Sequence, residues 1–318
     1  MTISIPPPKG LIISLVTPLA EDGGIDLVSL RKLIERTLPS CDALMFGEGF
    51  VGEGLTLSNP SRRDLLRSAV DIVSGRKPLI LFPTAATTED TYGNIVEVAR
   101  GAASLEGKGS LFFADIPLWH HSNRKLPQLY EEWAKETPFP FVLYNNPRLI
   151  AHLNRSMKSN NIRTAVLKRL AENEKIVGLV QTGDLRRTIH YQRAVRSRRD
   201  FRIYDGDELS FLNSPSSSGV VSGAASLCPA EWKETVSASL RMSEDPAANL
   251  LLLRQSGKMR DLSAVLKRNP AAGLKFALRR LGVISSSEVL EETRSAAGGE
   301  SAGIDPFLDA HFSLQPPG

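Results

Sequence analysis

What constrains this chain most is a recurring beat of short apolar runs. Six of them begin at Leu11, Ala43, Pro78, Ser110, Phe141 and Lys175, spaced 31 to 35 residues apart, and two more begin at Phe201 and Gly219. Runs of this length suit strands buried on both faces. The gaps carry helical periodicity: Leu27 to Leu38, Ser61 to Val73 after an Asn59-Pro60 start, Thr88 to Leu105 with a threonine cap, Leu126 to Glu136, and Arg163 to Glu172. Leu185 to Arg196 and Pro229 to Ser239 follow the sixth and eighth runs. Eight strands alternating with helices predict an α/β fold, the closed (β/α)8 TIM barrel. An open doubly wound sheet would more often place a phosphate loop after its first strand, and here that strand ends in Thr17-Pro18.

Beyond the eighth unit, Pro246 to Leu281 predicts extra C-terminal helices on the barrel's side, broken near Gly257 and at Asn269-Pro270. The expected division is an N-terminal tail over 1–8, the barrel over 9–240, C-terminal helices over 241–284 and a partly mobile tail over 285–318. Within that tail, Ser295 to Gly303 is expected to be mobile, and the last stretch from Pro306 to dock or fray.

Of the 318 residues, 42% are hydrophobic and 23% charged, an ordinary balance for a globular chain. No apolar stretch approaches the ~20 residues of a membrane span, and MTISIPPPKG lacks the features of a secretion signal, so no membrane association and a cytoplasmic location are expected. Two cysteines, Cys41 and Cys228, argue against a disulfide framework. The basic run from Arg186 to Arg199 reads as a solvated helix face without aromatic interleaving, so no nucleic-acid partner is expected.

Tyr144 closes the strand in FVLYNNP, Phe141 to Pro147. A phenol at the carboxyl end of a barrel strand is either a proton carrier or a core tyrosine with a satisfied hydroxyl. After the second strand, Gly47, Gly49 and Gly52 formally match a dinucleotide pattern but do not open a helix directly. They permit a tight turn whose amides form an anion nest able to take a carboxylate, or simply a flexible loop. Glu48, Glu53, Asp115, Asp205, Asp207 and Glu208 lie at strand ends, with His120 and His121 in the fourth loop. Adjacent histidines cannot easily share a metal, so no metal site is assigned. Glu53 is expected to cap a helix or pair with an arginine, Asp205 to Glu208 to cap the next helix, and the histidines to be loop hydrogen-bonders.

Several of these segments, with others along the chain, resemble one family. GFVGEGLTLS at Gly49 to Ser58, LVTPLAEDGGID at Leu15 to Asp26, IPLW at Ile116 to Trp119, LYNNP at Leu143 to Pro147, IVGLVQTGD at Ile176 to Asp184, YDGDE at Tyr204 to Glu208, SGVVSGAASLCP at Ser218 to Pro229 and NPAAGLKFAL at Asn269 to Leu278 are similar in order and spacing to the dihydrodipicolinate synthase and N-acetylneuraminate lyase family.

That resemblance implies a (β/α)8 barrel, usually a homotetramer of paired dimers, that acts as a lyase by attaching pyruvate or another 2-oxo acid to a lysine, without metal or cofactor. The lysine's position falls on Val180, which offers no amine. Lys175 precedes the strand by about five residues, roughly 16 Å away at ~3.3 Å of rise each, at the opposite mouth. Lys275 matches a lysine of the outer helices and is expected to be a surface charge. The family's paired threonines fall on Phe50 and Val51, and a tyrosine lent by the neighbouring subunit falls on Trp119, or Leu118 with a small shift. Tyr144 is retained. Arg148 lies one position from an arginine that meets the second substrate's carboxylate, and is either an anion contact or a surface ion pair.

The expected function is a diverged family member holding a small carboxylate or 2-oxo acid in the barrel mouth, through Gly49, Phe50, Val51, Gly52, Trp119, Arg148 and Val221 with Tyr144, its imine chemistry lost. A carbon–carbon or carbon–oxygen lyase or hydratase using metal or acid–base chemistry, Tyr144 paired with Asp115 or Glu48, is one alternative. A non-catalytic paralogue with a regulatory or assembly role is the other.

Overall fold

All eight apolar runs become parallel strands in the computed structural model, which describes residues 6–105, 111–153, 159–215, 218–241, 246–267, 269–290 and 304–312. They are β1 (Gly10–Ser14), β2 (Ala43–Phe46), β3 (Leu79–Leu81), β4 (Leu111–Asp115), β5 (Phe141–Asn145), β6 (Ile176–Gln181), β7 (Arg202–Asp205) and β8 (Gly219–Ser222), in sequence order around a closed barrel. Apart from Arg202, every strand residue is buried, as strands with the barrel interior on one side and helices on the other must be.

Closure depends on two glycines. Gly10 pairs with Gly219 where β1 meets β8. Gly219 has φ +118°, and a Cβ there would lie 1.9 Å from the Gly10 carbonyl oxygen, so a side chain would push the seam open.

The helices are α1 (Leu27–Thr37), α2 (Asn59–Val73), α3 (Thr88–Gly101), α4 (Pro117–His120), α5 (Leu126–Glu136), α6 (Pro147–His152), α7 (Thr164–Leu170), α8 (Leu185–Ala194), α9 (Glu208–Asn213), α10 (Pro229–Arg241), α11 (Pro246–Leu266), α12 (Pro270–Arg280) and α13 (Ile304–His311). Their starts are written in the sequence. Asp26, Ser58, Thr87, Asp184 and Asp207 each accept a backbone amide of the first turn, satisfying donors that a helix start leaves open. On α3 the cap is Thr87, one residue before the expected Thr88, because Thr87 holds the extended backbone that a cap requires. The apolar stripe of α1, Leu30, Leu33 and Ile34, faces the barrel at helical spacing.

Three expectations about the C-terminal helices are corrected. Gly257 does not break α11, which runs for 21 residues, since a lone glycine costs a helix only about 1 kcal/mol and packing against α10 and α9 outweighs it. Asn269-Pro270 does mark a boundary, with Asn269 capping α12. The second correction concerns place: the α11–α12 junction does more than cover the barrel's side. Ser263, Leu266, Lys267, Pro270 and Leu274 form part of the wall of the cavity at the barrel mouth. Lys275 is also misplaced as a surface charge. It is fully buried, and its ammonium pairs with Glu53 and donates to the Glu288 carbonyl at 2.7 Å. Glu53 therefore meets a lysine rather than an arginine, and its other oxygen accepts the Leu290 amide at 2.7 Å.

Near the C-terminus, α13 docks on α11 and α12 through Ile304, Phe307 and Leu308. Residues 295–303, expected to be mobile, lie outside the described residues. Among the described residues no helix is long and apolar enough to cross a membrane.

Candidate functional site

At the carboxyl ends of the strands lies a cavity of about 350 Å³. Its floor and walls come from the chain just past β1, β2, β5, β6, β7 and β8, closed on one side by α11 and α12. This is where short loops after parallel strands bring distant residues together.

The β2 loop is built by its glycines. Gly54 packs so closely that a Cβ would lie 1.6 Å from the Gly47 carbonyl oxygen, and a Cβ on Gly52 would lie 2.7 Å from the Glu48 nitrogen. The tight turn does converge its amides, but on a carboxylate of the chain itself. Glu48 accepts from Phe50 N at 2.9 Å and Val51 N at 2.8 Å, and the Tyr144 phenol lies beside it. The anion nest anticipated in the sequence is thus filled from within.

Electrostatics follow from that burial. Burial raises the Glu48 carboxyl above the usual glutamate range, more than the amides and the phenol lower it. Burial, followed by the Glu48 charge, holds the Tyr144 phenol well above its ordinary value, so it stays protonated. Phe82 packs edge-on against its ring, with centroids 5.8 Å apart.

Val180 sits opposite Tyr144 and Tyr204 in the ladder and is fully buried. A Cβ placed on Gly206 would lie 2.8 Å from Val180 Cγ1 and 3.3 Å from the Tyr144 hydroxyl, so both side chains crowd one point beneath the cavity. Lys175 lies at the other mouth, donating to the carbonyls of Ala134 and Thr137 at 2.7 and 2.5 Å. A different lysine reaches the site: Lys267, exposed at the end of α11, lines the cavity. Sequence reasoning missed it because nothing local distinguishes it from any other helix-end lysine.

Of the residues assigned to binding, Phe50, Val51, Arg148 and Val221 line the cavity together with Tyr144. Gly49, Gly52, Trp119 and Val180 are not part of its wall, the two glycines acting through the turn's backbone. Trp119 is half-buried on α4. Glu208 and Asp207, read earlier as helix caps, both face the cavity. Asp207 is the cap of α9, accepting from Ser210 N at 2.8 Å, whereas Glu208 accepts from Ser222 Oγ at 2.7 Å and Ala224 N at 2.9 Å. Burial raises the Glu208 carboxyl as well.

Asp115 is excluded as the partner of Tyr144. It is fully buried between β4 and the helices outside, accepting from Thr84 Oγ1 at 2.5 Å and the Tyr130 hydroxyl at 2.6 Å, with His120 Nε2 at 3.2 Å. Burial opposes its ionisation, but His120 and the two hydroxyls win and hold its pKa below the ordinary value. His120, expected as a loop hydrogen-bonder, instead has a fully buried side chain in this network, its Nδ1 3.2 Å from Thr88 Oγ1. His121 is the loop residue of the pair. Among the described residues no three histidines, cysteines or acids are grouped to hold a metal ion.

Known proteins share both the sequence pattern and the fold. The chain is 30% identical over 282 residues to the 4-hydroxy-tetrahydrodipicolinate synthase of Thiobacillus denitrificans, covering 87% of this chain and 88% of the relative. The crystal structure of dihydrodipicolinate synthase from Aquifex aeolicus matches 95% of this chain and 96% of its own with a TM-score of 0.76 at 21% identity. A prophage protein of E. coli K12 from the dihydrodipicolinic acid synthase family, solved in complex with pyruvate, matches 95% of this chain and 98% of its own with the same TM-score at 19% identity. The profile of the dihydrodipicolinate synthetase family matches residues 7–297, and to that family the chain belongs.

Proposed function

We propose that this barrel takes up a small carboxylate or 2-oxo acid at its mouth without forming an imine to it. The observation that carries the reading is the Glu48 carboxylate. It holds the amides of Phe50 and Val51, with the Tyr144 phenol beside it, and so fills a nest that would otherwise grip a ligand's acid group. Val180, where the resemblance puts the attaching lysine, adds hydrocarbon beside them. A ligand's carboxylate is then received by the cations lining the cavity, Arg148 and Lys267, both exposed. An assembly of two or four copies, implied by the family resemblance, belongs to the same proposal.

Borohydride reduction in the presence of pyruvate, read by intact mass, tests the lost chemistry. No adduct is expected, and a stoichiometric one on Lys267 or any other lysine overturns this part. Calorimetric titration with small carboxylates tests the binding, and failure of every one of them overturns the rest.

A second reading has one observation in its favour. Burial moves the Glu48 carboxyl toward the pH at which a proton carrier works best, with Tyr144 in contact. A lyase or hydratase running on this pair would lose turnover in Glu48→Gln while still binding its substrate.

A further inference from the structure

The cavity has two electrically distinct parts. Three carboxylates, Glu48, Asp207 and Glu208, line it, and a carboxylate can only accept hydrogen bonds. Two cations, Arg148 and Lys267, stand at its exposed side. The remaining wall mixes aliphatic side chains such as Val221, Leu266 and Leu274 with neutral polar ones, Ser14, Asn146, Thr182 and Ser263 among them. A 2-oxo acid answers the cations and the neutral donors, but its acid and keto oxygens only accept and leave the carboxylates unanswered. Against the acidic part it would set acceptor on acceptor, which repels.

An independent observation comes from Ser14 at the end of β1. Its side chain lines the cavity, it is 1% exposed, and its hydroxyl has no hydrogen-bond partner among the described residues. Buried hydroxyls are nearly always partnered, so one left open on a cavity wall marks a place where a ligand's polar group belongs. The phenol of Tyr144, beside Glu48 and held protonated by burial, brings no positive charge to the acids.

We propose that the ligand is an amino-terminated carboxylate, its ammonium group turned toward Glu48, Asp207, Glu208 and the Ser14 hydroxyl, and its carboxylate turned toward Arg148 and Lys267. The inference rests on the reading above, that the mouth takes a small carboxylate without covalent attachment. It narrows that reading to ligands that carry their own positive charge. Ammonium suits the acidic part because it donates in three directions, and charge-assisted hydrogen bonds to carboxylates are the strong ones.

The test is calorimetric titration of the full chain with the ω-amino acids from 3-aminopropanoate to 6-aminohexanoate. Each is compared with the alkanoate, the 2-oxo acid and the alkylamine of the same carbon count. The best amino acid is expected to bind at least roughly tenfold more tightly than its three counterparts, the usual scale for a hydrogen-bonded charge. Glu208→Gln should weaken the amino acid by a similar factor and leave the alkanoate unmoved, whereas Arg148→Ala should weaken both. If the alkanoate or the 2-oxo acid binds as tightly as the amino acid, this inference fails and the small-carboxylate reading survives. If only the alkylamine binds, or no carboxylate does, both fail. The comparison of ligands on the unaltered chain stands even where a variant does not fold.

Discussion

Tyr144, at the end of β5, lies beside Glu48 of the β2 loop, and the two line one cavity at the barrel mouth. The contact ties one residue shared with the family pattern to a carboxylate that fills the turn's amides. On the proposed reading, imine chemistry requires two changes. Val180→Lys alone supplies an amine but leaves the nest occupied. Val180→Lys with Glu48→Val supplies the amine and empties the nest. Borohydride trapping with pyruvate should give an adduct on the double variant at least about tenfold above the single one, with the desolvated lysine made nucleophilic by its lowered pKa. Equal adduct on both would show that Glu48 does not compete for the ligand's acid group.

Glu48 also shapes the dependence of stability on pH. Its folded carboxyl is raised above the unfolded value, so the folded state binds the proton more tightly. Its contribution is most favourable at low pH and is lost as pH rises through the folded value. Glu48→Gln, neutral throughout, should melt higher than the parent at pH 8, and the gap should close as pH falls below the ordinary carboxylate value. Melting curves of the two proteins from pH 4 to 8 measure this, and a gap independent of pH would show that Glu48 titrates normally.

Asp115 predicts the opposite sign. Its folded pKa is lowered, so its contribution is present above the ordinary aspartate value and is lost as pH falls through the folded one. Asp115→Asn should cost roughly 2–3 kcal/mol at pH 7, the scale of hydrogen bonds to a buried charge, with the deficit narrowing in acid. Ligand affinity should not move, because Asp115 is no part of the cavity wall. A loss of binding with stability intact would reverse its structural assignment.

Gly257 is exposed in the interior of α11, and a Cβ there meets nothing within 4 Å. Gly257→Ala should therefore stabilise the chain by about 0.5–1 kcal/mol through backbone entropy alone. A small rise in the urea midpoint with an unchanged slope is the expected result. A fall would mean the helix needs its glycine.

The barrel was legible because each strand announces itself locally. A run such as FVLY is buried on both faces, and Ser58, Asp184 and Asp207 cap the helices that follow β2, β6 and β7. The cavity was legible only where a residue lines it from a strand end, as Tyr144 does. Glu48 was visible as an acid in a glycine-rich loop, but its occupation of that loop's amides depends on how the turn curls back, set by contacts such as Gly54 against Gly47. Lys267 and Lys275 show the same limit from two sides. The first directly follows α11 and the second lies in α12, both in ordinary helical sequence, yet the first lines the cavity and the second is fully buried. Only the packing of α11 and α12 on the barrel mouth tells them apart.

The buried pair of Lys275 and Glu53 makes the last case. Burial lowers the lysine's pKa more than Glu53 restores it, so the charge survives here only with its partner. The pair also holds chain beyond α12, since Glu53 takes the Leu290 amide and Lys275 gives a bond to the Glu288 carbonyl. Lys275→Met strands a buried carboxylate and should cost about 3–5 kcal/mol. Glu53→Gln with Lys275→Met removes both charges and should recover more than half of that loss, because an amide side chain can still accept from Leu290. Urea unfolding of the two variants decides the matter: if the double variant is no more stable than Lys275→Met, the loss comes from packing around the α12 side chain rather than from an unpaired charge.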